Sequence, residues 1–503
     1  MHSFKQRATG FWIALAVTLA VPAAAVAQSP DQAEILERLQ RLEQNQARFE
    51  ALLAERDARI NELEAELDRS ASPAPVATAA AGEGADIETV EVDVQPGEAD
   101  ADPVYFGQFQ PGGRGFKLVD TPMGDVNFSA WTYARFLNQQ ALDDTYTDSF
   151  GREREIDSRN DIQLNKVNLY FKGWVYDPKL TYLLYTWTAN TSQGDSAQVV
   201  VAGNLGYNFG KELSLGVGIG ALPGTRSLRG TFPYWNKVDT RPMADEFFRP
   251  SYTTGLWASG DLAKGLKYKV MAGNNLSQLG VSAAELDDSF NTYSGSIWWM
   301  PTTGEFGPAG GYGDFEHHDD LATLFGFQVT RSREDRQSQP GTEDIQNSQI
   351  RLSDGTVIFQ PDAFATGGRI NKATYLMSSI DAGLKYKGYA LEGEYYFRWV
   401  DDFKTEGDIP EDDLFDHGFQ LQASMMMVPR TVQAYLAGSY IFGEYGDPWD
   451  LALGVNWYPL QRRLFRLNTE VLYLKDSPVG YSSVPFTVGG DGPVFYSSLE
   501  LTF

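Results

Sequence analysis

Arg226, Arg229, Lys237, Arg241 and Arg249 crowd one stretch of the chain, residues 222–251, beside Asp239, Asp245 and Glu246. Guanidinium groups present paired donors that match the oxygens of phosphate and carboxylate, so this stretch is the expected place for anion binding. The alternative use of the same residues is a salt-bridged plug, in which cations and carboxylates neutralise one another. A second charged set is spread over residues 135–500 at alternating positions. It comprises Arg135, Lys166, Lys172, Lys267, Lys269, Lys385, Lys387, Arg398 and Arg466, with Asp381, Glu392, Glu394, Glu470 and Glu500 as its acids.

Other chemistry is poorly supported. His317-His318-Asp319-Asp320 contains metal-ligand types, but adjacent residues of an extended chain point to opposite sides and no second segment supplies convergent ligands. His417 lacks a flanking serine pattern of the hydrolase kind. The chain has 503 residues and no cysteine, so thiolate metal sites and disulfides are excluded. No enzyme activity, metal or cofactor is expected.

The elements that must position these charges are strands. After about residue 126 the hydrophobic period is two. Tyr389, Leu391, Gly393, Tyr395, Phe397 and Trp399 fall on one face, and Ala390, Glu392, Glu394, Tyr396 and Arg398 on the other. Sixteen such segments start near residues 126, 162, 180, 198, 212, 253, 265, 292, 321, 376, 389, 417, 431, 450, 465 and 495. Each is about ten residues long, which spans a bilayer when tilted, and the even number suits a bacterial barrel. Tight links such as Ala263-Lys264 and Lys387-Gly388 alternate with long ones, as periplasmic turns alternate with external loops. Residues 301–320 are long where a tight turn is due, so either that turn is enlarged or the strand count fails there. The fold expected is all-β, a 16-stranded antiparallel transmembrane barrel over residues 104–503.

In such a barrel the charged face lines water, and the pore wall comes out basic on balance, which would raise the local anion concentration. The competing reading places some of these cations at the membrane interface, reaching headgroups or lipopolysaccharide phosphates. Residues 222–251 become the third external loop.

The N-terminal part differs. Residues 1–27 have a basic start at Lys5 and Arg7, an apolar stretch from Phe11 to Val21 and a small-residue site at Ala25-Val26-Ala27, which predicts a cleaved signal peptide. Ile35, Leu39, Leu42, Phe49, Leu53, Ile60, Leu63 and Leu67 form a heptad seam, so residues 28–69 are expected to be a periplasmic coiled-coil stalk of about 50 Å. Residues 70–103, rich in Ala, Pro, Gly, Asp and Glu, read as a disordered acidic linker. The net charge of −26 argues against nucleic acid as a partner.

The run from Lys166 through Asp177-Pro178 to Tyr182 resembles an early hairpin of the phosphate-selective porin O and P family. Residues 218–226, 246–250, 255–261, 266–273 and 453–458 follow that family's order and spacing, and the terminal Phe503 resembles the outer-membrane assembly signal. The resemblance covers roughly residues 104–503 and implies a trimeric sixteen-stranded porin with a loop folded into the pore. The stalk departs from it. The function these readings support is passive diffusion of small hydrophilic solutes across the bacterial outer membrane, with anions such as phosphate as cargo. Outer-membrane lipid and lipopolysaccharide would surround the homotrimer. The alternative is an envelope-tethering barrel whose coiled coil binds peptidoglycan or a periplasmic partner.

Overall fold

The computed structural model describes residues 109–110, 115–189, 198–278, 290–336, 349–480 and 484–503. The signal peptide, stalk and linker expected over residues 1–103 lie outside them. Sixteen antiparallel strands make the wall: β1 Gly124–Asn138, β2 Asn160–Val175, β3 Asp177–Ala189, β4 Gln198–Asn208, β5 Ser214–Ala221, β6 Tyr252–Ala263, β7 Leu266–Gly273 and β8 Thr292–Trp299. They continue as β9 Ala322–Asp335, β10 Arg369–Tyr386, β11 Tyr389–Glu406, β12 Leu414–Val428, β13 Val432–Phe442, β14 Trp449–Trp457, β15 Phe465–Lys475 and β16 Gly492–Thr502. The start of β10, at 369 against an expected 376, is the largest discrepancy from the strand starts read in sequence.

Each strand pairs with the next, and β16 returns to β1 with Phe495 opposite Asn138 and Thr502 opposite Trp131. The sheet therefore closes, which leaves no unpaired edge and is the one way strands can satisfy their backbone groups within a bilayer. Gly115–Thr121 continues the line of β16 along β1, placing Phe116 opposite Phe128. At the seam Phe503 exchanges hydrogen bonds with Ala130 at 2.7 and 2.9 Å, and its ring lies 6.1 Å from Phe116 and 6.2 Å from Phe128.

Most of the short links lie at one end of the barrel and most of the long ones at the other. Residues 300–321 join β8 to β9 at the turn end, so the turn is enlarged and the strand count stands. The β10–β11 hairpin reverses through Lys387 and Gly388, both at positive φ (47° and 84°), as a two-residue primed turn requires. This corrects one strand-parity assignment: Lys387 is an exposed turn residue rather than part of the lumen wall, because alternation ends where the hairpin begins to turn.

The two faces of the wall are inverted relative to a water-soluble protein. On β11, Leu391 is 43% exposed while Glu392 and Glu394 are 2% and 3% exposed. Leucines outside and carboxylates inside is the pattern that lipid, not water, selects. Aromatic residues gather on the outer face near the loop end, where Tyr395, Phe397, Trp399, Phe415 and Phe442 surround His417. Leu453 sits outward at the middle of β14, 62% exposed. Replacing it with arginine should cost about 2–4 kcal/mol in equilibrium refolding into vesicles, whereas a water-facing site would show almost no change.

Candidate functional site: the lumen and the loop that fills it

The third long loop, residues 222–251, lies inside the barrel and is buried along most of its length. Its one α-helix, α1 (Met243–Phe248), starts after Pro242 and carries Asp245 and Glu246 in its first turn, which suits the helix dipole. The free N–H groups at its start are caught by the wall: Met243 donates to Asp450 Oδ1 at 3.2 Å and Ala244 to Ser439 Oγ at 2.9 Å. Met243, Ala244, Phe247 and Phe248 pack with Tyr396, Ile441, Leu472 and Tyr496, and the Phe248 and Tyr396 rings stack at 5.2 Å. Val479, Val484 and Phe486 of the last long loop join this cluster. A second cluster brings Ile350, Leu352, Ile358 and Phe359 of the fifth long loop onto Leu222, Tyr375 and Val400. The loop end of the lumen is thus packed with apolar side chains, and the loop sits in a fixed place.

Every cation singled out in this loop meets a carboxylate. Arg226 pairs with Glu392 of β11. Arg229 lies 2.8 Å from Asp381 of β10, and Lys237 lies 3.0 Å from Glu470 of β15. Arg241 and Arg249 share Glu246 at 3.0 and 2.7 Å. The wall cations reciprocate: Lys166 reaches Asp239 at 2.6 Å, Arg398 reaches Asp416 at 2.5 Å and Arg466 reaches Glu500 at 2.6 Å. These groups are almost wholly buried, where losing one partner costs far more than forming the pair gains. The geometry is that of the salt-bridged plug.

Three inward cations have oxygen dipoles as their described partners. Arg135 donates to Val238 O and Thr240 Oγ1, each at 3.2 Å, and lies over the rings of Tyr133 and Tyr496. Lys269 donates to Ala221 O at 3.2 Å. Lys385 donates to the carbonyls of Phe306 and Gly311, both at 2.8 Å. Of the remaining sequence-predicted wall residues, Lys172 is half-buried near the turn end of β2, and Lys267 pairs with Asp261 at 2.7 Å in a partly exposed position. Uncharged amides fill part of the space between the pairs, with Asn236 donating to Gln422 at 3.1 Å and Asn456 donating to Asn236 O at 2.8 Å.

The enlarged turn, residues 300–321, also turns inward, burying Phe306, Tyr312, Asp314 and Phe315. Its fold is tied by His318, which meets Asp314 Oδ1 at 2.5 Å and Glu305 Oε1 at 3.0 Å. The hydrogen bonds to Asp314 and then Glu305 hold the imidazolium and raise its pKa to about 9. A pKa raised on folding means that this tie contributes fully below the ordinary value near 6.5 and is lost as pH rises through about 9. Proton NMR of the protein in detergent should show one histidine titrating near pH 9, and that titration should vanish in His318→Asn. A His318 midpoint near 6.5 would mean the tie is absent. His317 is exposed at positive φ (64°), and His417 accepts or donates at 2.7 Å to the Tyr395 hydroxyl on the outer face, so the histidines are dispersed.

Sequence periodicity missed Asp416 and Asp450 as inward acids and missed the inward fold of the enlarged turn. A usable signal was the content of that turn: Phe306, Tyr312 and Phe315 are poor choices for a link that stays in water.

No family model matches the chain, and no curated protein matches it. Among solved structures it is similar to an anion-selective porin from Comamonas acidovorans, at 11% identity and a TM-score of 0.48, over 76% of this chain and 100% of that one. It is similar to the outer-membrane protein OmpT of Vibrio cholerae at 11% identity and a TM-score of 0.46, over 76% and 99% of the two chains. It is also similar to the outer-membrane channel DcaP of Acinetobacter baumannii at 10% identity and a TM-score of 0.46, over 76% and 99%. These are distant likenesses, and the fold assignment rests on the strand pairing itself.

Proposed function

We propose that this chain is an outer-membrane porin that lets small hydrophilic solutes diffuse passively across the membrane. The observation that carries the reading is the closed barrel with leucines outside, charges inside and a long loop held in the lumen by ion pairs. Small anions such as phosphate are the proposed cargo. The support for that choice is not the third-loop arginines, since each is bound to a carboxylate, but the cations whose hydrogen bonds go to backbone carbonyls, Lys385 and Lys269. A positive group without a carboxylate partner keeps its field available to a passing anion. The homotrimer, the lipid and lipopolysaccharide surroundings and the periplasmic stalk belong to the same reading. Proteoliposomes holding the purified protein should take up inorganic phosphate and small sugars at rates that fall steeply with solute size. Impermeability to all of them would refute the proposal.

One observation favours a second reading, the envelope-tethering barrel: the lumen is entered by chain from both ends. Deleting residues 28–103 separates the two. Loss of envelope integrity with unchanged solute flux supports tethering, and an intact envelope supports the porin alone.

A further inference from the structure

Two connections meet inside this barrel. The third loop enters from the loop end and residues 300–321 enter from the turn end, and their backbones are joined where Tyr312 N–H donates to Tyr234 O at 2.6 Å. The approach is too close for ordinary side chains. A Cβ on Gly311 would lie 2.3 Å from Tyr234 Cβ and 2.7 Å from Tyr234 O, and Gly313 takes a positive φ (70°) that other residues rarely adopt. Glycine at both positions is what lets the turn backbone reach the loop and the wall.

The turn does more than fill space. Its carbonyls fix two cations: Arg226 donates to Gly310 O and Gly311 O at 3.1 and 3.3 Å, and Lys385 donates to Phe306 O and Gly311 O. Arg226 also lies 4.1 Å over the Tyr312 ring, and Lys385 lies 4.4 Å over Phe306. The carboxylate of Glu392 is engaged from both sides, by Arg226 and by Gly313 N–H at 2.8 Å. At the far side Arg463 holds Glu316 of the turn at 3.3 Å. In this seam Lys385 hydrogen-bonds to carbonyl oxygens, while the nearby carboxylates of Glu392 and Glu316 are taken up by Arg226 and Arg463, and the turn covers it.

We propose that residues 300–321 are the second half of the constriction, and that the seam between this turn and the third loop is where a small anion is admitted, with Lys385 as the residue that sets charge preference. The proposal rests on the porin reading and deepens it. The field at the seam is set by Lys385, which the turn's carbonyls position and whose two neighbouring carboxylates, Glu392 and Glu316, are each paired with an arginine.

The test uses the full-length chain in planar bilayers with potassium chloride and then potassium phosphate. In one variant residues 304–313 are replaced by a short Gly-Ser link. In the other, Lys385→Gln, the turn is kept. Trimming should at least double the single-channel conductance, and K385Q should move the reversal potential toward the cation-selective side and weaken block by phosphate. Trimmed protein that is folded, by its heat-modifiable gel mobility, but conducts as the wild type does overturns the proposal. So does a K385Q reversal potential equal to that of the wild type, which decides the matter if the trimmed chain does not fold. A silent wild type with a conducting trimmed variant contradicts the porin reading for the intact chain and supports the turn as a constriction. Silence in both overturns both.

Discussion

Arg226→Ala should give a barrel that conducts more and resists denaturation less. This side chain ties three bodies together: it pairs with Glu392 of the wall, donates to the carbonyls of Gly310 and Gly311 in the enlarged turn, and belongs to the third loop. Truncation leaves Glu392 deeply buried with the Gly313 N–H as its described donor. Breaking a buried pair by removing one partner typically costs about 3–5 kcal/mol, because the surviving charge loses compensation in a low-dielectric setting. The cheapest escape for Glu392 is water, which must enter by displacing the turn or the loop. We therefore expect larger conductance, more current noise and a lower denaturant midpoint. Arg226→Lys should recover less than half of the loss, since an ammonium cannot reproduce the several directed N–H donors of the guanidinium. A normal midpoint and normal conductance in R226A would mean that the loop is held by its apolar helix alone.

The second large effect is expected at Glu246, where one carboxylate serves Arg241 at 3.0 Å and Arg249 at 2.7 Å. In Glu246→Gln two guanidinium groups face a neutral amide, with Asp245 one residue away and hydrogen-bonded to Ser227 at 3.1 Å. Removing the carboxylate that the two guanidinium groups share should destabilise the loop by about 3–5 kcal/mol, the usual cost of breaking a buried pair. They should also recruit an anion from solution. The expected result is a shift of the reversal potential toward anions and tighter block by phosphate, with the variant stabilised by added phosphate where the wild type is not. An unchanged potential and no phosphate effect would show that Asp245 takes over the pairing.

How far the sequence could be read depended on how local the determining physics was. Wall strands are set by a period-two pattern and by turn chemistry, both local, so the β11 alternation and the Lys387-Gly388 reversal were legible residue by residue. Parity put Arg135, Lys166, Lys385, Arg398 and Arg466 on one face of their strands, and in the structure these side chains are buried. It failed at Lys387 because alternation does not continue through a turn with positive φ. Pairing was not legible, since nothing local links Lys237 to Glu470 or Arg229 to Asp381; those contacts depend on where a thirty-residue loop lies inside the barrel. The enlarged turn was visible as a length anomaly, but its inward direction depends on Gly311 and Gly313 meeting residues brought close only by closure.

Whether the barrel conducts, and for which ion, is read most directly from the reversal potential of the purified full-length protein in a planar bilayer under a potassium chloride gradient. Measurable conductance with a modest anion-selective potential is expected, because most lumen charges are met in pairs while Lys385 and Lys269 are held by carbonyls. A cation-selective potential would contradict the assignment of those lysines, and the absence of any conductance would contradict the porin itself.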